Sequence, residues 1–332
     1  MQKHRWPILT LFLLAPAVGE LLSGSAPPAE FFTPFGLILL SALYGSGAVL
    51  IRELVRRWDK GWASIFLLGL AYGIYEEGIV VRSFFDPGWP DLGVLAEYGR
   101  FWGVNWLWTI DLTMYHAVVS ITIPILLVEL LYPAHRGTPW LRRRGLIFFS
   151  LLLLAVMAAT PLMGMQVSPL ALLACVLVMA LLAVLAYVWP ARKVAASRET
   201  RPLPAILYTV LGFAATIGWV ISMWFMPEQN FPVFIALSAA LAWPLIIAFT
   251  LRGMTRRGMG DIHRWALALG VLLIFILLTF VAEAENLTRP DDTSGMALVG
   301  WTFLVFMLVL GFRTWRRGKI EPAITPSEPT LP

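Results

Sequence analysis

Apolar residues run along this chain in ten long blocks, at about 7–24, 35–54, 62–85, 105–132, 145–164, 169–189, 204–226, 231–251, 265–283 and 296–313. Each is near the ~20 residues that a helix rising ~1.5 Å per residue needs to cross a ~30 Å hydrocarbon core. Strands of a membrane barrel alternate in polarity and are about half as long, so continuous apolarity excludes them. The pattern predicts an all-α fold, a polytopic transmembrane helical bundle of about ten spans. The polar breaks are short, so residues 1–314 read as one integral membrane domain. Proline and sparse apolar side chains in "GKIEPAITPSEPTLP" mark residues 315–332 as a disordered cytoplasmic tail. The first block follows a basic "MQKHR" as a secretory signal would, but it has full span length and carries Pro16 and Glu20, which predicts an uncleaved helix.

Composition supports the same class: 59% of residues are apolar, 14% are charged, and the mean hydropathy is +0.76. The single cysteine, Cys175, leaves no disulfide framework and no cysteine-based metal site. A pI near 9.6 raises nucleic acid as a partner, but the basic residues are dealt out in small groups between apolar blocks. That distribution suits anionic lipid headgroups and excludes a nucleic-acid face. Counted alternately, 22 of the 25 Lys and Arg fall on one side, and only Arg82, Arg100 and Arg289 on the other. The asymmetry predicts cytoplasmic N- and C-termini in a prokaryotic cytoplasmic membrane.

Polar groups inside the blocks are unevenly spread, with residues 1–132 bearing nearly all of them and 145–313 reading as an apolar scaffold. In "AYGIYEEGIVVRSFF", Glu76 and Glu77 sit where an ionised acid facing lipid costs at least ~2.5–3.5 kcal/mol. Counted back from Phe85, Glu76 is roughly 13 Å below the end of its helix. The next block carries Asn105, Thr109, Thr113, His116 and Ser120 at spacings that share one helical face. His116 lies roughly 16 Å along that helix, and consecutive helices are usually neighbours, so the histidine and the acid pair are expected to form one site opening to the outer face. The acids are ~100° apart on a helix, which predicts that one of them faces His116 and the other a neighbouring helix. Glu20, Asp111, Glu283 and Glu285 reach toward the same side, and solvation near the interface accounts for Glu20, Glu283 and Glu285. The aromatic loop "FFDPGWPDLGVLAEYGRFWGVNWLW" is expected to lie on or re-enter the outer leaflet.

Glu76-Glu77 followed by Arg82 in one helix, then "LTMYH" ending at His116 in the next, resembles the first two motifs of the CAAX-protease and bacteriocin-processing family of intramembrane metal-dependent peptidases. The resemblance covers residues 72–116. It implies that Glu76, Glu77, Arg82 and His116 take part in holding a divalent metal such as zinc and activating water against a membrane-embedded peptide. In this chain four residues, rather than the family's three, separate Glu77 from Arg82, Leu112 stands where the family has an aromatic, and no later helix offers a second histidine followed by Asn or Asp.

The residues themselves favour another class. Adjacent acids in a medium of low dielectric repel, so one of them is expected to hold a proton and serve as a carrier. Ten spans with no soluble domain and a buried Glu/Glu/His site suit cation- or proton-coupled transport of a small solute or ion, which needs no cofactor. A membrane scaffold or assembly factor is the third reading, since half the chain bears no polar signal.

Overall fold

The computed structural model describes residues 4–159, 166–190, 202–288 and 291–320. Ten helices fall where the apolar blocks predict them: α1, Arg5–Pro16 continued by a π-turn at Ala17–Leu21; α2, Pro34–Arg57; α3, Trp62–Val80; α4, Trp106–Leu131; α5, Arg143–Ala159; α6, Pro169–Val188; α7, Ala205–Glu228; α8, Val233–Thr255; α9, Asp261–Ala284; and α10, Met296–Ile320. Among the described residues, eight of these helices are long and apolar enough to cross a membrane. Several starts are written in the sequence. Thr33, Asn105 and Ser168 each accept a bond from the backbone N–H three residues on, and Pro34 and Pro169 occupy first helical positions, where a missing N–H costs nothing.

The core lies among the early helices. Of its most apolar stretch, α4 buries 78%, whereas α6 and α8 bury 11% and turn their Leu, Val and Phe outward. Lipid tails are as apolar as leucine, so close backbone approach, rather than apolar burial, must bring such helices together. Small residues supply it. A side chain at Gly212 would come within 2.4 Å of the Leu267 carbonyl, and one at Gly270 within 2.1 Å of the Thr209 carbonyl, which fixes α7 on α9. Helix α3 packs against both α4 and α6, α1 against α2, and α9 against α10.

The ends differ from the expected boundaries. Helix α3 stops at Val80, five residues short of Phe85, because Arg82 adopts a φ of 65° that no L-residue sustains in a helix. Glu76 is therefore four residues from the helix end, or ~6 Å rather than ~13 Å. The aromatic loop folds as two 3₁₀ turns within Pro90–Ala96, kinked at Gly93, and a two-stranded antiparallel hairpin pairing Arg100 with Asn105 and Phe101 with Val104. Leu92 and Leu95 are wholly buried against Phe84, Phe85, Leu107 and Trp108, while Trp102 at the hairpin tip is exposed.

At the opposite end Arg52, one of the 22 basic residues counted on the Lys- and Arg-rich side, is fully buried in α2. Its guanidinium donates to the carbonyls of Thr138 (2.7 Å), Arg136 (2.9 Å) and His135 (3.1 Å), and it stacks on Trp140 at 3.6 Å. Glu129 pairs with Arg56 at 2.7 Å through both oxygens, and Glu53 holds Arg57 at 2.8 Å and the Trp140 N–H at 2.7 Å. This network straps the α4–α5 connection onto α2. The last helix runs to Ile320, past the expected start of the tail at 315. Arg192, Lys193, Arg198, Arg201, Arg289 and residues 321–332 lie outside the described residues.

Candidate functional site: a buried Glu–His–Glu cluster

Helices α3 and α4 meet through Gly69 and Gly73, one turn apart on α3. A side chain at Gly69 would stand 2.9 Å from the Ala117 Cα, and one at Gly73 would stand 3.0 Å from the Thr113 Cα and 3.2 Å from the His116 Cβ. The small-xxx-small spacing lets the backbones touch, and it brings the turn after Gly73 alongside His116.

That turn carries the two acids. His116 Nε2 lies 2.8 Å from Glu77 Oε1, and its Nδ1 lies 3.1 Å from Ser120 Oγ and 3.2 Å from Glu76 Oε2. Each imidazole nitrogen thus faces a carboxylate, and Glu76, Glu77 and His116 are all buried. Glu77 is fixed from its other side, since the Ser83 hydroxyl bonds its Oε2 and in turn accepts from Trp108 Nε1 at 2.9 Å. Both acids reach the histidine, where helical geometry predicted only one. The cause is a π-turn over Tyr75–Val80, whose i→i+5 bonding puts more residues in each turn and narrows the angle between successive side chains.

The same departure recurs on the neighbouring helices. π-Turns occupy Ala17–Leu21 in α1, Ser41–Gly45 in α2 and His116–Thr122 in α4, and they carry Glu20, Tyr44, and His116 with Ser120. The Tyr44 hydroxyl bonds Glu20 Oε1, and the rings of Tyr44, Tyr72 and Tyr115 lie 6.0, 6.4 and 5.3 Å from the imidazole. Tyr44 thus links Glu20 to the surroundings of the imidazole, so four helices contribute to one polar centre. π-Turns are rare and concentrate at functional sites. Among the described residues, the buried Thr113 Oγ1 and Tyr72 Oη make no hydrogen bond, and Glu76 Oε2 has only its 3.2 Å approach to His116 Nδ1. Each such group costs about 1–3 kcal/mol, which a proton, water or cation between them would relieve.

Of the residues singled out from sequence, Glu76, Glu77, His116 and Ser120 come together, and Thr113 adjoins them on α4. Asn105 instead caps α4 and donates to the Leu95 carbonyl, and the Thr109 hydroxyl bonds back to the Asn105 carbonyl at 2.6 Å. Arg82 Nε donates to the Ile79 carbonyl at 3.4 Å, and its residue forms the break after α3. Sequence reasoning left out Glu20, Tyr44, Tyr72 and Ser83. Solvation at the interface accounts for Glu20 in the sequence, whereas the structure places it in a π-turn and bonds it to the Tyr44 hydroxyl. Gly19, which would clash at 2.9 Å with Ser120 Oγ if it bore a side chain, was the available signal of close approach there.

A family model described as an uncharacterized membrane protein family matches residues 9–331. An uncharacterized protein of Archaeoglobus fulgidus is 26% identical over 126 residues, covering 37% of this chain and 38% of that relative. The chain thus spans well under half the length of the curated relative it matches. No solved structure matches it.

Proposed function

The chain belongs to this uncharacterized membrane protein family, and we propose that its Glu–His–Glu centre binds and releases protons or a cation to drive transport of a small solute. One observation carries the reading: a single imidazole faces a carboxylate from each nitrogen. In the neutral ring, Nε2–H donates to Glu77 while Nδ1 accepts from the Ser120 hydroxyl. When the ring takes a second proton, Nδ1–H turns to Glu76. A proton delivered to either acid can therefore be handed across the ring to the other. Ionisable groups buried among transmembrane helices mark such pathways. The reading includes about ten spans, with the Arg-rich end and both termini in the cytoplasm and the hairpin end outside.

The test is reconstitution in liposomes with an internal pH dye, under imposed gradients of cations and small solutes. A solute gradient should move protons in wild-type vesicles, and Glu77→Gln should abolish that movement. Wild-type vesicles that move no protons under any gradient would sink the proton-coupled form.

A second reading is favoured by one further feature. Glu76, Glu77 and His116 each offer a ligand atom, all within 4.8 Å of one another. Two carboxylates and an imidazole fit the three-ligand count of an open metal site, at which a divalent metal such as zinc would polarise water, as the peptidase resemblance implies. The chain's other histidines do not join them: His4 and His135 meet edge-on with ring centroids 5.0 Å apart, and His263 bonds the Leu203 carbonyl. Elemental mass spectrometry decides this form. About one divalent metal per chain, lost in His116→Ala, would favour it over the proton carrier.

A further inference from the structure

A cavity of ≈ 480 Å³ lies on the other side of Tyr115 from the cluster, walled by α3, α4, α7, α8 and α9. Its volume is that of a pocket for a drug-sized molecule. The lining is almost wholly apolar, with one acid, Asp111, set a turn and a half into α4. Glu76, Glu77 and His116 do not line it.

Asp111 is 2% exposed and rigidly held. Ser222 donates to its Oδ1 at 3.3 Å, and Trp219 Nε1 donates to its backbone carbonyl at 3.0 Å. Its other oxygen, Oδ2, is buried and has no hydrogen-bond partner among the described residues. Another π-turn, Ile221–Phe225 in α7, carries Ser222. Beside the acid stand three aromatic rings that also line the cavity: Tyr115 stacks on Trp219 at 5.4 Å and meets Phe275 at 5.8 Å, while Trp219 and Phe275 are 6.1 Å apart.

A held carboxylate with a buried, unpartnered oxygen, beside three aromatic rings in an apolar chamber, is the chemistry that recognises an organic cation. We infer that this cavity is a second binding site, taking a lipophilic ammonium whose charged head meets Asp111 and whose apolar tail runs between α4 and α8. The lining extends down α8 from Ala240 to Arg252, twelve residues or ~18 Å, which accommodates an extended tail and keeps the Arg252 cation far from the ligand's.

The experiment uses the full chain in lipid nanodiscs with radiolabelled decyltrimethylammonium, and binding to protein-free nanodiscs is subtracted. Saturable binding near one site per chain is expected. It should weaken about tenfold or more in Asp111→Asn, a change of ~1.4 kcal/mol, and stay unchanged in Glu77→Gln. Should Asp111→Asn fail to fold, Trp219→Leu gives the same reading through loss of an aromatic face. The inference is overturned if the wild type shows no saturable binding, if binding survives both substitutions, or if decanol competes as well as the unlabelled cation.

Discussion

His116 has two ring nitrogens and a carboxylate opposite each, so the substitutions that matter are those that change charge while keeping shape. Glu76→Gln and Glu77→Gln retain size and hydrogen bonding, and each should abolish function while insertion and yield stay at wild-type levels. A functional Glu77→Gln protein would remove Glu77 from the centre. His116→Ala should also be inactive, and His116→Asn should rescue activity only if the ring is a structural donor. At this scale much of the site was legible. An acid pair and a histidine inside apolar blocks cost too much to be incidental, and helical spacing put Ser120 and Thr113 beside the ring. Glu20 and Tyr44 were hidden because nothing in the composition of a helix announces a π-turn, and the turn decides which way they point.

Among the elements, the α3–α4 crossing rests on Gly69 and Gly73. Gly73→Val places branched carbons where a Cβ alone would already stand 3.0 Å from the Thr113 Cα, so it should cost about 1–3 kcal/mol in thermal or denaturant stability and lower activity further by moving Glu76 and Glu77 away from His116. Wild-type stability in that variant would mean that the helices do not touch there. Arg82 makes a separate case. Its φ of 65° suits glycine, so Arg82→Gly should keep activity and gain a few tenths to ~1 kcal/mol, whereas a role for the guanidinium in chemistry demands loss of activity. Apolar periodicity could not reveal this break, because "VVRSFF" continues the apolar run through it. The Arg52 network was concealed for the opposite reason: arginines at a helix end read as loop charges, and only the fold shows the carbonyls of His135, Arg136 and Thr138 converging on one of them. Arg52→Met should leave those three carbonyls without their donor, while Arg56 still pairs with Glu129, and destabilise the chain by at least about 1–3 kcal/mol, as measured by loss of folded protein on heating.

Over the whole molecule, block lengths located the helices well because a membrane leaves the chain so few options. Which helices are central was legible too: polar groups concentrate in residues 1–132, and α4, the most buried helix, is among them. Apolar exchanges of similar volume in α5 and α6 should therefore change stability by about 1 kcal/mol and leave activity intact. Tags in 86–103 or 227–230 should label from outside, and tags in 134–144 or 253–263 should not. Labelling of residue 140 from outside would invert the proposed orientation.

The claim that Glu76, Glu77 and His116 form one proton-exchanging centre is tested most directly by infrared difference spectra of the membrane-reconstituted protein, recorded as pH is stepped. The account predicts protonated-carboxyl bands that titrate in the wild type, that each lose a component in Glu76→Gln and Glu77→Gln, and that shift together in His116→Ala. Spectra in which the two Gln variants and His116→Ala titrate like the wild type would contradict it.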